Sequence, residues 1–269
     1  MENELSIIDS HAHLDYPQFE GKIDEVLSRA KELGVTEVIS IGVKLSAADG
    51  LRRLAETHDN VWFSAGIHPH EASSEPDACN LQAILVAADH PKCVAIGEAG
   101  LDYFYDNAPR KVQAESFRVQ IEASRQTGKP IIVHARDADA DMAEILETEM
   151  SKGAFTGVLH CFSSGVELAR RAVDIGFYIS FSGILTFGKA QELRQIASEL
   201  PAERLLVETD SPYLAPTPFR GKINEPGYTR HVLERLAEVR NTCAEHMAEQ
   251  TRENTLRLFT NMSAAKAGR

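Results

Sequence analysis

Apolar, strand-like runs and amphipathic stretches alternate along this 269-residue chain, and that alternation restricts the fold more than any other feature. The strand-like runs lie near residues 5–9, 35–42, 61–66, 93–97, 130–134, 156–160, 177–182 and 204–208. They are rich in Val, Ile and Phe and nearly continuous in apolar character, as strands buried on both faces are. Between them lie amphipathic stretches near 21–33, 46–58, 79–89, 109–127, 138–150, 164–175 and 189–199, and a helical region near 226–240 and 243–260 follows. Ser46 is placed to open one helix, and Gly34, Gly128 and Gly176 to close others. Eight strands, each followed by helix in about 260 residues, predict an α/β protein of the (β/α)8 TIM-barrel class. A doubly wound open sheet is the alternative, but it rarely needs so many regular units. No linker, repeat or low-complexity tract interrupts the pattern, so residues 1–269 are expected to form a single domain with its core at about 5–260.

Composition narrows the class further. Apolar residues make up 43 % and charged residues 25 %, which is ordinary for a globular protein. No apolar run approaches the roughly 20 residues that span a bilayer. The N-terminus, MENELSIID, lacks a basic region followed by an apolar one and is not expected to be a signal peptide, and no membrane partner is expected. Cys79, Cys93, Cys161 and Cys243 are scattered with no CxxC pair, which points to a reducing cytoplasm. The 40 acidic against 28 basic residues give a net charge of −12, which argues against a protein that grips nucleic acid along its length. An enzyme acting locally on a strand end stays open. No stable protein partner can be inferred.

Hydrophilic side chains able to hold metal end five of the strand-like runs. His11 and His13 follow LSIID. In an extended chain residues i and i+2 share a side, so both imidazoles can face one ion, and Asp9 has the parity to orient a ring from behind. Glu98 ends VAIGE beside Gly97 and near Gly100; His134 ends IIVH; His160 ends GVLH; Asp210 ends LLVETD. Each alone has a plainer reading: a surface turn for HxH, a loop charge for Glu98, a core histidine, a helix cap for Asp210. Together they change meaning, because a barrel gathers its strand ends on one rim. The set predicts a site for divalent metal, and nitrogen and oxygen donors without thiolate suit Zn, Mn, Mg, Ni or Fe. Cys161, next to His160, is expected to face away from that site. The stretch 210–227 holds four of the eleven prolines and reads as a rigid loop over the same rim.

The motifs that carry these residues are SHAHLD at 10–15, GIHPH at 66–70, GEAGLDY at 97–103, IVHARD at 132–137, LHCFS at 159–163, GFYISFSG at 176–183, ETDSPYLAP at 208–216 and RGKINEP at 220–226. Taken jointly they closely resemble the TatD family of metal-dependent deoxyribonucleases, a branch of the amidohydrolase-like barrels, over about residues 6–260. The resemblance implies a (β/α)8 fold and two divalent metal ions. It implies His11, His13, Glu98 and Asp210 as ligands of one ion and Glu98, His134 and His160 as ligands of the other, with Glu98 bridging. His68 matches a family histidine near the substrate phosphate. GEAG stands where GETG is more usual, with Ala99 in place of threonine.

The implied chemistry is hydrolysis of a phosphodiester at a DNA end, single-stranded DNA favoured, by water activated between the metals. Asp210 would orient that water and take its proton, with Glu98 and His68 completing the catalytic set. Arg136 shares parity with His134, and its guanidinium could fork onto phosphate oxygens; a salt bridge to Asp137 or Asp139 is the competing expectation. Tyr103, Phe104 and Tyr105 could stack a base, although Phe104 reads better as loop packing. Arg220, on the proline-rich loop, could meet the nucleic-acid backbone. Glu208 has the parity to point inward and support a ligand histidine. A small-molecule amidohydrolase or esterase, or an aminoacyl-tRNA deacylase, could use the same centre. Many related barrels with the former activities carry a carbamylated lysine at the bridging position, where this chain has Glu98.

Overall fold

A computed structural model describes residues 5–267. Strands β1 (Ile7–Ala12), β2 (Val35–Ser40), β3 (Val61–Ala65), β4 (Cys93–Asp102), β5 (Ile131–Arg136), β6 (Gly157–Leu159), β7 (Tyr178–Phe181) and β8 (Leu205–Val207) form one sheet in chain order. The pairs β1–β2, β3–β4, β4–β5, β5–β6 and β7–β8 are all parallel. Helices α1 (Ile23–Glu32), α2 (Ala48–Thr57), α3 (Leu81–Ala88), α4 (Arg110–Thr127), α5 (Asp139–Lys152), α6 (Val166–Asp174) and α7 (Gln191–Glu199) separate them. Three more follow β8: α8 (Thr229–Val239), α9 (Ala244–Leu258) and α10 (Thr260–Ala267). Past β8 the chain meets the first strand again. The Asp210 N–H donates to His11 O at 2.9 Å, and the His13 N–H donates to Ser211 O at 2.8 Å. This is the (β/α)8 class that the alternation predicts.

The chain divides into two compact units. The first comprises the chain up to Ser40, Cys161–Ser163 and Ile179–Arg257. The second comprises Ile41–His160, Ser164–Tyr178 and the chain from Leu258. Every residue of β1, β3 and β4 is buried, which is why their sequences run apolar instead of alternating. The helices bury one stripe each: Val26, Leu27 and Ala30 in α1, Leu168, Ala169 and Ala172 in α6. Gly34, Gly128 and Gly176 follow α1, α4 and α6 with φ of 82°, 67° and 92°, the left-handed turn that ends a helix. Ser46 does not cap a helix. Its hydroxyl donates to Glu75 at 2.6 Å, and α2 starts at Ala48. Among the described residues no helix is long and apolar enough to cross a membrane.

Three strands run past their expected ends. β1 continues to Ala12, β4 to Asp102 and β5 to Arg136, so His11, Glu98 and His134 lie inside strands. β1 and β4 are irregular where His11 and Glu98 sit: the register shifts between Asp9 and Ala12, and between Ile96 and Ala99. An irregularity of this kind re-aims a side chain without ending the pairing. Gly97, at φ 128°, lies in the shifted segment of β4, and a β-carbon on Gly66 would fall onto its backbone. Gly66→Ala should therefore lower unfolding stability by about 1–3 kcal/mol. Urea denaturation checks this, and an unchanged midpoint would contradict the close approach.

Candidate metal centre

In the second unit, imidazoles crowd one buried carboxylate. Glu98 is 2 % exposed. Its Oε1 lies 2.7 Å from His160 Nε2, 2.9 Å from His134 Nδ1 and 3.4 Å from His68 Nε2. β4 supplies Glu98 and β5 supplies His134, while His160 follows β6 and is tied by its N–H to Val133 O at 3.0 Å. The His134 and His160 rings also face each other, Nδ1 to Nε2, at 3.4 Å. His68 has a fixed tautomer: the His70 backbone N–H donates to its Nδ1 at 3.1 Å, so its own proton sits on Nε2. Burial pushes the His68 pKa down to about 4, against the pull of Glu98, so the ring is a neutral donor.

Asp102, the last residue of β4, organises this cluster. Its Oδ2 lies 3.1 Å from His134 Nε2 and 2.8 Å from His70 Nε2. Its Oδ1 accepts the backbone N–H groups of Phe104 and Tyr105 at 3.0 and 2.9 Å. Burial alone would raise the Asp102 pKa, but the bonds from His134, Tyr105 and His70 hold it well below the usual carboxylate range. Burial likewise opposes charge on His134, and its bonds to Asp102 and Glu98 outweigh that and raise its pKa. A carboxylate on the outer nitrogen of an imidazole fixes which nitrogen is offered to a cation. Neither Asp102 nor His70 stood out in the sequence. The available signal was parity, since Asp102 lies four residues beyond Glu98 on the same strand. Asp102→Asn should weaken divalent-metal affinity about 10- to 100-fold. Competition against a metal-binding dye reads this, and unchanged affinity would confine Asp102 to supporting the loop.

In the first unit, His11, His13 and Asp210 come together. Asp210 Oδ1 lies 3.7 Å from His11 Nε2 and 3.4 Å from His13 Nε2, and the two rings meet edge to face at 5.1 Å. Both imidazoles share a side, as their spacing predicts. Asp210 holds a left-handed φ of 57°, a conformation that Asp tolerates better than most residues. The Tyr16 ring stacks on His13 at 4.7 Å. Asp9 does not orient a ring. Its carboxylate accepts the Thr209 N–H at 2.9 Å, the Thr209 hydroxyl at 2.6 Å and the His11 backbone N–H at 3.3 Å, so it clamps main chain. Burial raises the Asp9 pKa to about 7 against those bonds.

The donors in both units are imidazole nitrogens and carboxylate oxygens, the set that borderline and hard divalent cations take. In the second unit, ligand atoms of His68, Glu98 and His134 lie within 4.8 Å of one another, a spacing that fits a metal ion. The sequence profile described as TatD related DNase matches residues 8–260. The chain belongs to the TatD family.

TatD relatives match along almost the whole chain. The metal-dependent hydrolase YcfH of Escherichia coli is 43 % identical over 258 residues, covering 95 % of this chain and 96 % of that one. A protein of Escherichia fergusonii named 3'-5' ssDNA/RNA exonuclease TatD is 34 % identical over 260 residues, covering 94 % and 98 %. Among solved structures, the TatD homologue YJJV of Escherichia coli is 30 % identical with a TM-score of 0.88, covering 94 % and 98 %. This chain is accordingly a metal-dependent hydrolase of the TatD family.

The remaining expected residues fall as follows. Glu208 Oε1 accepts the Cys161 N–H at 2.7 Å, so it supports the turn after His160 through the main chain. Cys161 is half-buried with a left-handed φ of 43°, and its Sγ lies 3.2 Å from the Ser182 hydroxyl. Arg136 forms neither expected salt bridge; its guanidinium lies over the rings of Phe104 and Tyr105 at 4.2 and 4.8 Å. Tyr103 donates to Asp141 at 2.7 Å, and Arg110 covers its ring at 4.1 Å. Phe104 does not pack the loop, being 55 % exposed. Arg220 sits over the Phe187 ring at 3.5 Å. The loop bearing Arg220 is pinned by buried Asn224, whose Nδ2 donates to Thr209 O and Tyr213 O at 2.9 and 2.6 Å.

Proposed function

We propose that the chain hydrolyses phosphodiesters at the end of a DNA strand, single-stranded DNA favoured, with two divalent cations held by His11, His13, Glu98, His134, His160 and Asp210. The observation that carries this reading is the single oxygen of Glu98 within 3.4 Å of three imidazole nitrogens. β1 and the turn after β8 deliver one ligand group, and β4, β5 and the turn after β6 deliver the other. When bound, divalent cations at such a set would supply charge that neutralises phosphate and lowers the pKa of a water towards about 7.

The side chains supply the rest. Asp210 takes the proton of the attacking water. His68, neutral and donating from Nε2, holds a phosphate oxygen. Glu98 would hold a cation with His134 and His160, and Asp102 keeps the His134 ring turned towards it. Arg220 meets the phosphates further along the strand, while Arg136 and Tyr103 border the site. The exonuclease name of the Escherichia fergusonii relative supports the same substrate class.

The test is a metal titration with end-labelled single- and double-stranded oligonucleotides. Chelated protein should leave both intact, and added divalent cation should restore release of nucleotides from single strands. Intact oligonucleotides under every cation, with hydrolysis of an amide or ester panel instead, would replace this reading with the amidohydrolase one.

A further inference from the structure

We infer that Phe104 and Tyr105, seated on Arg136, form a stacking surface for the unpaired nucleobase beside the bond that is cut. The inference rests on the nuclease reading and adds the element that selects an unpaired end. Phe104 is 55 % and Tyr105 54 % exposed, and large rings seldom stand in solvent side by side without an occupant. Their planes are perpendicular at 4.9 Å. The Arg136 guanidinium over both rings, at 4.2 and 4.8 Å, leaves the pair braced.

What ties this surface to the metal cluster is a shared carboxylate. Asp102 Oδ1 accepts the amide N–H of both residues, at 3.0 and 2.9 Å, while its Oδ2 lies 3.1 Å from the His134 ring nitrogen. The Tyr105 ring also meets His70 at 5.3 Å, and His70 is bonded to the same oxygen of Asp102 at 2.8 Å. One buried group therefore sets the distance between a ligand imidazole and the exposed rings.

The chemistry selects a single flat ligand. A protein partner would need a broad apolar patch, whereas here two rings stand among Arg136, His70 and the exposed Asp106 and Asn107. A nucleobase offers a π-face and polar edges, and stacking accepts any base. The net charge of −12 denies the chain the broad phosphate attraction that most nucleic-acid binders use, so stacking must supply affinity that charge does not. Bases within a duplex are already stacked and paired, and cannot reach these rings.

The test compares the Phe104→Ala/Tyr105→Ala variant with the unaltered enzyme on a labelled single-stranded oligonucleotide and on the same strand with abasic residues at both ends. The variant should raise KM on the natural strand by about 5- to 100-fold and leave the abasic strand's kinetics and the metal content unchanged, whereas Tyr105→Phe alone should keep the KM of the unaltered enzyme. Equal kinetics for variant and unaltered enzyme on the natural strand, or equal losses on both strands, would overturn the stacking surface and leave the nuclease reading standing. An unaltered enzyme that cuts neither strand would overturn the nuclease reading and this inference with it.

Discussion

Asp210→Asn is expected to slow hydrolysis by about 10²- to 10⁴-fold while the protein stays folded and keeps at least one divalent cation. Asn is close to Asp in shape and also tolerates the left-handed φ of 57° at this position, so the turn after β8 should survive. Its backbone bond to His11 O, at 2.9 Å, does not involve the side chain. What the variant loses is the negative charge 3.4 Å from His13 and the ability to accept a proton. Steady-state rates, read beside metal content and circular dichroism, separate this from unfolding. Full activity would remove Asp210 from the mechanism.

Glu98→Gln should have an effect at least as large, and it should show first in metal content. Three imidazole nitrogens approach one Glu98 oxygen. The neutral amide offers either a carbonyl of weaker donor strength or an NH2 group that repels a cation. Losing an outer support of a ligand already costs about 10- to 100-fold in affinity, so losing this group should cost more than about 100-fold. Elemental analysis of the purified variant should find the ion shared by His134 and His160 missing, and activity should be lost with it. Retention of the full metal complement would show that Glu98 bridges nothing.

The fold and the six candidate ligands were legible because they rest on local chemistry. Eight apolar runs separated by amphipathic stretches leave few arrangements, and an imidazole or carboxylate closing a buried strand is conspicuous. The less legible features depend on contacts between distant residues. Asp102 was hidden because the apolar run stops at about residue 97, whereas β4 passes through a register shift between Ile96 and Ala99 and runs on to residue 102. The outward-facing aromatic surface was hard to assign for the same reason. Asp102 accepts the amides of residues 104 and 105, and Asp141 and Arg110 engage Tyr103, so Phe104 and Tyr105 are the rings left exposed, although Phe104 reads from sequence as loop packing. Ser46 has the right type for a cap, but Glu75, distant in sequence, takes its hydroxyl.

Crystals grown with Mn²⁺ and measured at the manganese absorption edge test the central claim most directly. The account predicts two anomalous peaks, one beside His11, His13 and Asp210 and the other beside Glu98, His134 and His160. No peak at Glu98, or a peak confined to some other part of the molecule, would contradict it.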